Sequence, residues 1–197
     1  MNRRTARPRT GSPELDAAIV DLVDGAGVEH DRDLVIEMLA SVMKLSRDGN
    51  TRGDLKIVNT ALKELRGAYS AFLPYRARRK ASIFGSARIG EADPSYLAAE
   101  ALGAELAARD WMIITGGGPG IMSAGIRGAG SDNSFGVTIR LPFEAMEGGG
   151  ILPPDRLVRF RYFFTRKLTF MKESSAYIVF PGGFGTLDET FELLTLL

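Results

Sequence analysis

Nine consecutive residues, Pro181-Gly182-Gly183-Phe184-Gly185-Thr186-Leu187-Asp188-Glu189, combine the backbone freedom and side-chain types needed to hold an anion and act on what is attached to it. They follow an apolar run, Ala176 to Phe180, and open into an amphipathic pattern, which reads as strand, glycine turn and helix start. Glycines at 182, 183 and 185 let the backbone approach an anion closely. The first N–H groups of the helix are unpaired and carry positive partial charge. Thr186 adds a hydroxyl donor. Asp188 and Glu189 place carboxylates in the first turn, where they would repel a bare phosphate. They make sense if the phosphate is one end of a larger ligand and a carboxylate works on another part of it, such as a ribose.

Two further stretches carry related chemistry. Gly116-Gly117-Gly118-Pro119-Gly120-Ile121-Met122 is a second glycine turn, and Phe164-Thr165-Arg166-Lys167 sets two cations side by side. In this order the three resemble the LOG family, cytokinin-activating nucleoside 5'-monophosphate phosphoribohydrolases often labelled lysine decarboxylases. The family's marks are an upstream GGGxxGxM loop, an Arg-Lys pair and the signature PGGxGTxxE. The resemblance runs from about Ala81 to Leu197 and implies hydrolysis of the N-glycosidic bond of a nucleoside monophosphate. Free base and ribose 5-phosphate leave through an oxocarbenium-like ribose, as in glycoside cleavage.

On that resemblance Glu189 is the carboxylate that stabilises the ribose cation and activates water, with Asp188 as its competitor. Arg166 is the cation. A guanidinium is effectively never deprotonated, so it acts by charge and hydrogen bonding, whereas Lys167 can do either. Ser86, the loop Gly116, Gly117, Gly118, and the turn Gly182, Gly183, Gly185, Thr186 would cradle phosphate and ribose. Thr195, seven residues after Asp188 and so on the same helical face, is either a ligand contact or core. A homodimer or larger homo-oligomer is implied, with the site near the subunit contact around Phe160 to Phe164.

Departures from the short plant-like members favour the long bacterial branch. Those members carry Met-His-x-Arg-Lys where this chain has Phe163-Phe164-Thr165-Arg166-Lys167, and an Asp where Ser175 stands. AMP or another purine monophosphate is then at least as good a substrate candidate as a cytokinin nucleotide. No cofactor is called for, and no acid cluster has metal-ligand spacing, although Mg2+ can accompany a phosphate. The alternative is a non-catalytic carrier that uses the same cradle for a nucleotide or the molybdenum cofactor. Glu189 with Arg166 favours the enzyme, because phosphate binding alone needs no carboxylate there. A pyridoxal-phosphate decarboxylase would need a Schiff-base lysine on a much larger scaffold.

The elements that must position these residues alternate from Ala81 onward. Strand-like runs at Ala81–Phe84, Trp111–Thr115, Ser134–Ile139, Leu157–Phe160 and Ala176–Phe180 are separated mostly by helical stretches, notably Pro94 to Arg109. This predicts an α/β fold with a doubly wound, mostly parallel, Rossmann-like sheet and its glycine turns at the carboxyl ends of the strands. The first turn, Phe84-Gly85-Ser86-Ala87-Arg88, lacks the G-x-G-x-x-G dinucleotide fingerprint, and no G-x-x-x-x-G-K-[ST] is present. Hydride transfer with NAD and P-loop ATP hydrolysis are disfavoured.

Ahead of the sheet, a basic tail over 1–11 is expected to be disordered and 12–80 to form a helical extension. Ser12-Pro13-Glu14 starts the first helix and Gly25 closes it. An apolar stripe follows at Leu34, Met38, Val42 and Leu45, and a heptad-like seam at Leu55, Val58, Leu62, Leu65, Tyr69 and Phe72 is expected as ordinary core, with a subunit contact as the alternative. Arg76 to Lys80 reads as a linker into the nucleotide-binding region, 81–197. Glu147-Gly148-Gly149-Gly150 reads as a surface loop or flap. The apolar close, Thr190 to Leu197, has no capping glycine or polar tail and suggests a C-terminally incomplete domain.

Bulk properties set the remaining bounds. The 197 residues carry 25 basic and 24 acidic side chains, a net +1 that gives no general pull toward nucleic acid or anionic lipid. Without cysteine there is neither disulfide nor thiolate metal site. The single histidine, His30, rules out multi-histidine metal sites. No apolar run nears the ~20 residues of a membrane span, and the basic start lacks a signal peptide's apolar stretch. The expectation is a cytoplasmic protein without a membrane or specific nucleic-acid partner.

Overall fold

The structure, a computed structural model, describes residues 10–140 and 151–196, so residues 1–9 of the expected tail over 1–11 and the Glu147–Gly150 loop lie outside the described residues. The chain divides into two compact units, Met1–Thr60 and Ala61–Leu197. In the first, α1 (Pro13–Gly25) starts where the Ser12 hydroxyl accepts the Leu15 N–H, with proline at the first helical position. It packs on α2 (Arg32–Arg47) through Ile19, Val23, Ile36 and Ala40. The stripe of Leu34, Met38 and Val42 on α2 is exposed, and the buried face is the one carrying Ile36 and Ala40. His30 is exposed between the two helices.

α3 (Arg52–Phe72) runs from the first unit into the second. Of its expected seam Phe72 is core, whereas Leu55, Val58, Leu62 and Tyr69 are exposed, and the other buried residue of this helix, Ala68, lies off the seam. The second unit is built on β1 (Lys80–Phe84), α4 (Pro94–Ala108), β2 (Met112–Thr115), α5 (Ile121–Ala129), β3 (Ser134–Ile139), β4 (Leu157–Phe160), α6 (Phe163–Glu173), β5 (Ala176–Val179) and α7 (Phe184–Leu196). Lys80 is not part of a linker. It opens β1 with its side chain buried, the ammonium donating to the Tyr75 and Arg78 carbonyls at 2.8 and 3.1 Å.

All five strands pair in parallel, in the order β4-β3-β2-β1-β5. Alternate side chains of each strand enter opposite layers. Phe84, Met112, Ile114, Phe135 and Val137 meet Ala68 and Phe72 of α3, Phe170 of α6 and Leu193 of α7 on one face. Ile83 and Ile113 meet α4 and α5 on the other, through Tyr96, Ala99, Ile121 and Ala124. α4 and α5 cross closely because a Cβ at Gly103 would lie 2.4 Å from the Gly125 carbonyl oxygen, a contact only glycine permits. This is the doubly wound, Rossmann-like sheet the sequence predicts. The chain moves from β1 through β2 and β3 to β4 on one side, then returns to place β5 on the other side of β1. The strand order therefore reverses between β1 and β5, and ligands of such sheets collect in the crevice at that point.

Candidate active site

The loops at this reversal are tied to one another. Beyond β1, the Ser86 N–H donates to the Pro181 carbonyl at 3.1 Å, joining the first turn to the glycine turn that follows β5. The Ser86 carbonyl accepts the Ile121 N–H at 3.1 Å, joining the first turn to the start of α5. Gly120, with φ +66°, has no room for a side chain: a Cβ there would stand 2.3 Å from the Ser86 oxygen. At Gly182 a Cβ would stand 2.2 Å from Thr186 Oγ1, so the buried Thr186 side chain closes directly over the turn. The Gly117 N–H, by contrast, donates to Thr115 Oγ1 at 3.0 Å. Ser86, the Gly116–Gly118 loop and the Gly182–Thr186 turn thus share one end of the sheet, with Gly183 and Gly185 exposed on it.

Arg166 and Glu189 meet beside this platform. Arg166 lies in the first turn of α6 and Glu189 in the second turn of α7, and an Arg166 Nη1–H donates to Glu189 Oε1 at 3.0 Å. The guanidinium is held on three sides. Its Nε–H donates to the Val137 carbonyl at 2.8 Å, its plane lies over the Phe170 ring at 5.1 Å, and a Cβ at Gly116 would stand 2.8 Å from its Nη2. Arg166 is 11% and Glu189 16% exposed, so both charges have left most of their water. Burial pushes the Glu189 carboxyl above the ordinary glutamate range, with Arg166 opposing. Burial lowers the Arg166 pKa while Glu189 opposes, and the guanidinium stays charged. A desolvated carboxylate with a raised pKa is a stronger base than a surface one. Removing either partner of such a buried pair would leave the other charge uncompensated, at a cost of about 3–5 kcal/mol.

Lys167 spans two acids of α7, Asp188 at 2.8 Å and Glu192 at 2.5 Å. Burial pulls its pKa down, but hydrogen bonds and charge from Asp188 and Glu192 outweigh this and leave it raised. Lys167 and Glu189 line one shallow cleft whose walls include Phe84, Phe170, Met171 and Leu193. Thr195 is not brought to the turn. Its hydroxyl donates to the Phe191 carbonyl at 2.7 Å, about 13 Å along α7 from Thr186 at 1.5 Å per residue. Among the described residues no group of three or more acidic or histidine side chains could hold a metal ion, and no helix is long and apolar enough to cross a membrane.

Sequence reasoning missed Glu192, Phe170 and the Val137 carbonyl. Glu192 had a signal: it lies three and four residues beyond Glu189 and Asp188, on the same side of α7. Phe170 had one too, four residues beyond Arg166 on α6, whereas the Val137 carbonyl had none, since its role arises only when α6 packs against β3.

Residues 120–197 match the model of a family described as possible lysine decarboxylase. A rice protein (Oryza sativa subsp. japonica), called probable cytokinin riboside 5'-monophosphate phosphoribohydrolase LOGL5, is 32% identical over 123 residues, which are 59% of this chain and 48% of that protein. The chain thus spans about half the length of this relative. Over these residues the chain is similar to the LOG family, and the glycine turns of three loops packed at one end of the sheet, with the Arg166–Glu189 pair beside them, agree with that similarity.

Proposed function

We propose that the protein is a cytoplasmic nucleoside 5'-monophosphate phosphoribohydrolase, active as a homodimer or larger homo-oligomer, that hydrolyses the N-glycosidic bond of AMP or another purine monophosphate. The observation that carries this reading is the buried Arg166–Glu189 pair placed immediately beyond a glycine turn. The phosphate would lie on the backbone N–H groups of the Gly182–Thr186 turn and the start of α7, where the helix dipole favours an anion. The ribose then extends toward Glu189, whose carboxylate faces the developing oxocarbenium charge and takes a proton from the attacking water. Arg166 holds that carboxylate in place and offers hydrogen bonds to the ribose or the base, without acting as a proton donor. Lys167, Asp188 and Glu192 form a bridge between α6 and α7 that keeps the two helices, and so the pair, in register.

The resemblance to a protein named for a cytokinin nucleotide supports the reaction class more than the base. Incubation of the full-length protein with AMP should release adenine and ribose 5-phosphate in equal amounts. AMP that binds but stays intact would replace this reading with that of a nucleotide carrier.

A further inference from the structure

α6 carries Arg166 but starts without a cap of its own. Tyr162, at the N-cap position, makes no side-chain hydrogen bond to the helix, and the N–H groups at a helix start need partners from elsewhere. One comes from α3. Glu64 Oε1 accepts the Arg161 N–H at 2.6 Å, and Oε2 accepts the Thr165 hydroxyl at 2.6 Å. The two bonds have the short lengths of charge-assisted ones, and the carboxylate sits at the positive end of the α6 dipole. Thr165 is fully buried. Its hydroxyl also lies 2.9 Å from the Tyr162 carbonyl, which accepts the Arg166 backbone N–H at 3.3 Å. A single carboxylate from the helix preceding the sheet therefore grips the turn on which Arg166 stands.

We propose that Glu64 is a positioning residue for Arg166, so that the helix ahead of the sheet sets the geometry of the reacting pair. The inference rests on the assignment of Arg166 and Glu189 as that pair. Glu64 touches neither of them. It fixes the backbone from which the guanidinium reaches the Val137 carbonyl and Glu189, two contacts that a small rotation of the first turn of α6 would break together.

The test uses the full-length protein with AMP. Glu64→Gln and Thr165→Val should each lower kcat for adenine release about tenfold, because small misplacements at a reacting centre cost rate steeply. KM for AMP should stay within about threefold, since the phosphate turns are held by other contacts, and Thr165→Ser should restore most of the rate. In an Arg166→Ala background, Glu64→Gln should cost less than about twofold more, as expected for an effect that passes through the guanidinium. Equal losses in both backgrounds, or an unchanged kcat in Glu64→Gln and Thr165→Val, would overturn the proposal.

A second measurement does not depend on turnover. Exchange of the Arg166 Nε–H with solvent, followed by NMR, should quicken about tenfold in Glu64→Gln and in Thr165→Val at a near-unchanged melting temperature. Unchanged exchange refutes the positioning role. Faster exchange in a protein that releases no adenine upholds that role and refutes the hydrolase reading alone.

Discussion

Replacing Glu189 with glutamine exchanges one carboxylate oxygen for an amide and leaves the side chain's length and shape intact. The Arg166 Nη1–H, 3.0 Å from Glu189 Oε1, still finds an acceptor, so the site should keep its geometry. What is lost is the negative charge. A carboxylate about 4 Å from a developing unit positive charge contributes about 4 kcal/mol at an effective dielectric constant near 20. At 1.36 kcal/mol per tenfold this corresponds to roughly a thousandfold in rate, inside the ~10²–10⁴-fold range typical of a key acid or base. AMP affinity should stay within about tenfold, because a phosphate gains rather than loses when a nearby anion is neutralised. Chromatographic quantification of adenine over time, together with equilibrium binding of AMP to the variant, separates the two effects. Turnover within threefold of the unsubstituted protein would remove Glu189 from the mechanism. A variant that no longer binds AMP would show that its charge serves the architecture of the site rather than the reaction.

Three other outcomes follow from the same geometry. The active form needs Glu189 ionised, and burial raises its pKa while Arg166 opposes the rise, so the acid limb of the kcat profile should lie above the usual glutamate range. Arg166→Met, besides slowing the reaction, should move that limb to higher pH; a limb that stays put or moves down would contradict the coupling. Adenosine should be a far poorer substrate than AMP, because binding at the remote phosphate organises the reacting ribose, and equal kcat/KM for the two would argue against the glycine turns as a phosphate cradle. Gly182→Ala puts a methyl group 2.2 Å from Thr186 Oγ1 over a buried side chain, which should cost about 1–3 kcal/mol and weaken AMP binding; an unchanged melting temperature would show that the turn yields freely.

The strands were legible in the sequence because a parallel sheet covered on both faces buries the side chains of its inner strands, as at 81–84 and 134–137, and the edge run 157–160 still buries Val158 and Phe160. The helices were legible in extent but not in orientation. α2 has apolar residues on more than one face, and periodicity alone cannot say whether Leu34, Met38 and Val42 or Ile36 and Ala40 turn inward. Along α3 the large residues of the seam are mostly exposed, whereas Ala68, small enough to approach the sheet, and Phe72 are buried. In the site, the glycine turns could be read because their requirement is local: close backbone approach leaves its mark on the very residues that make it, as at Gly120 and Gly182. The partners of Arg166 depend on chain segments brought together only by folding. The Val137 carbonyl is common to every residue type, and Glu64 looks like any charged residue on a helix until α3 meets the start of α6. A motif therefore reveals the residues that contact the ligand, while the groups that aim them come from elements with no motif at all. If Glu64 aims Arg166 as proposed, the helix preceding the sheet is as much a part of this site as the signature turn itself.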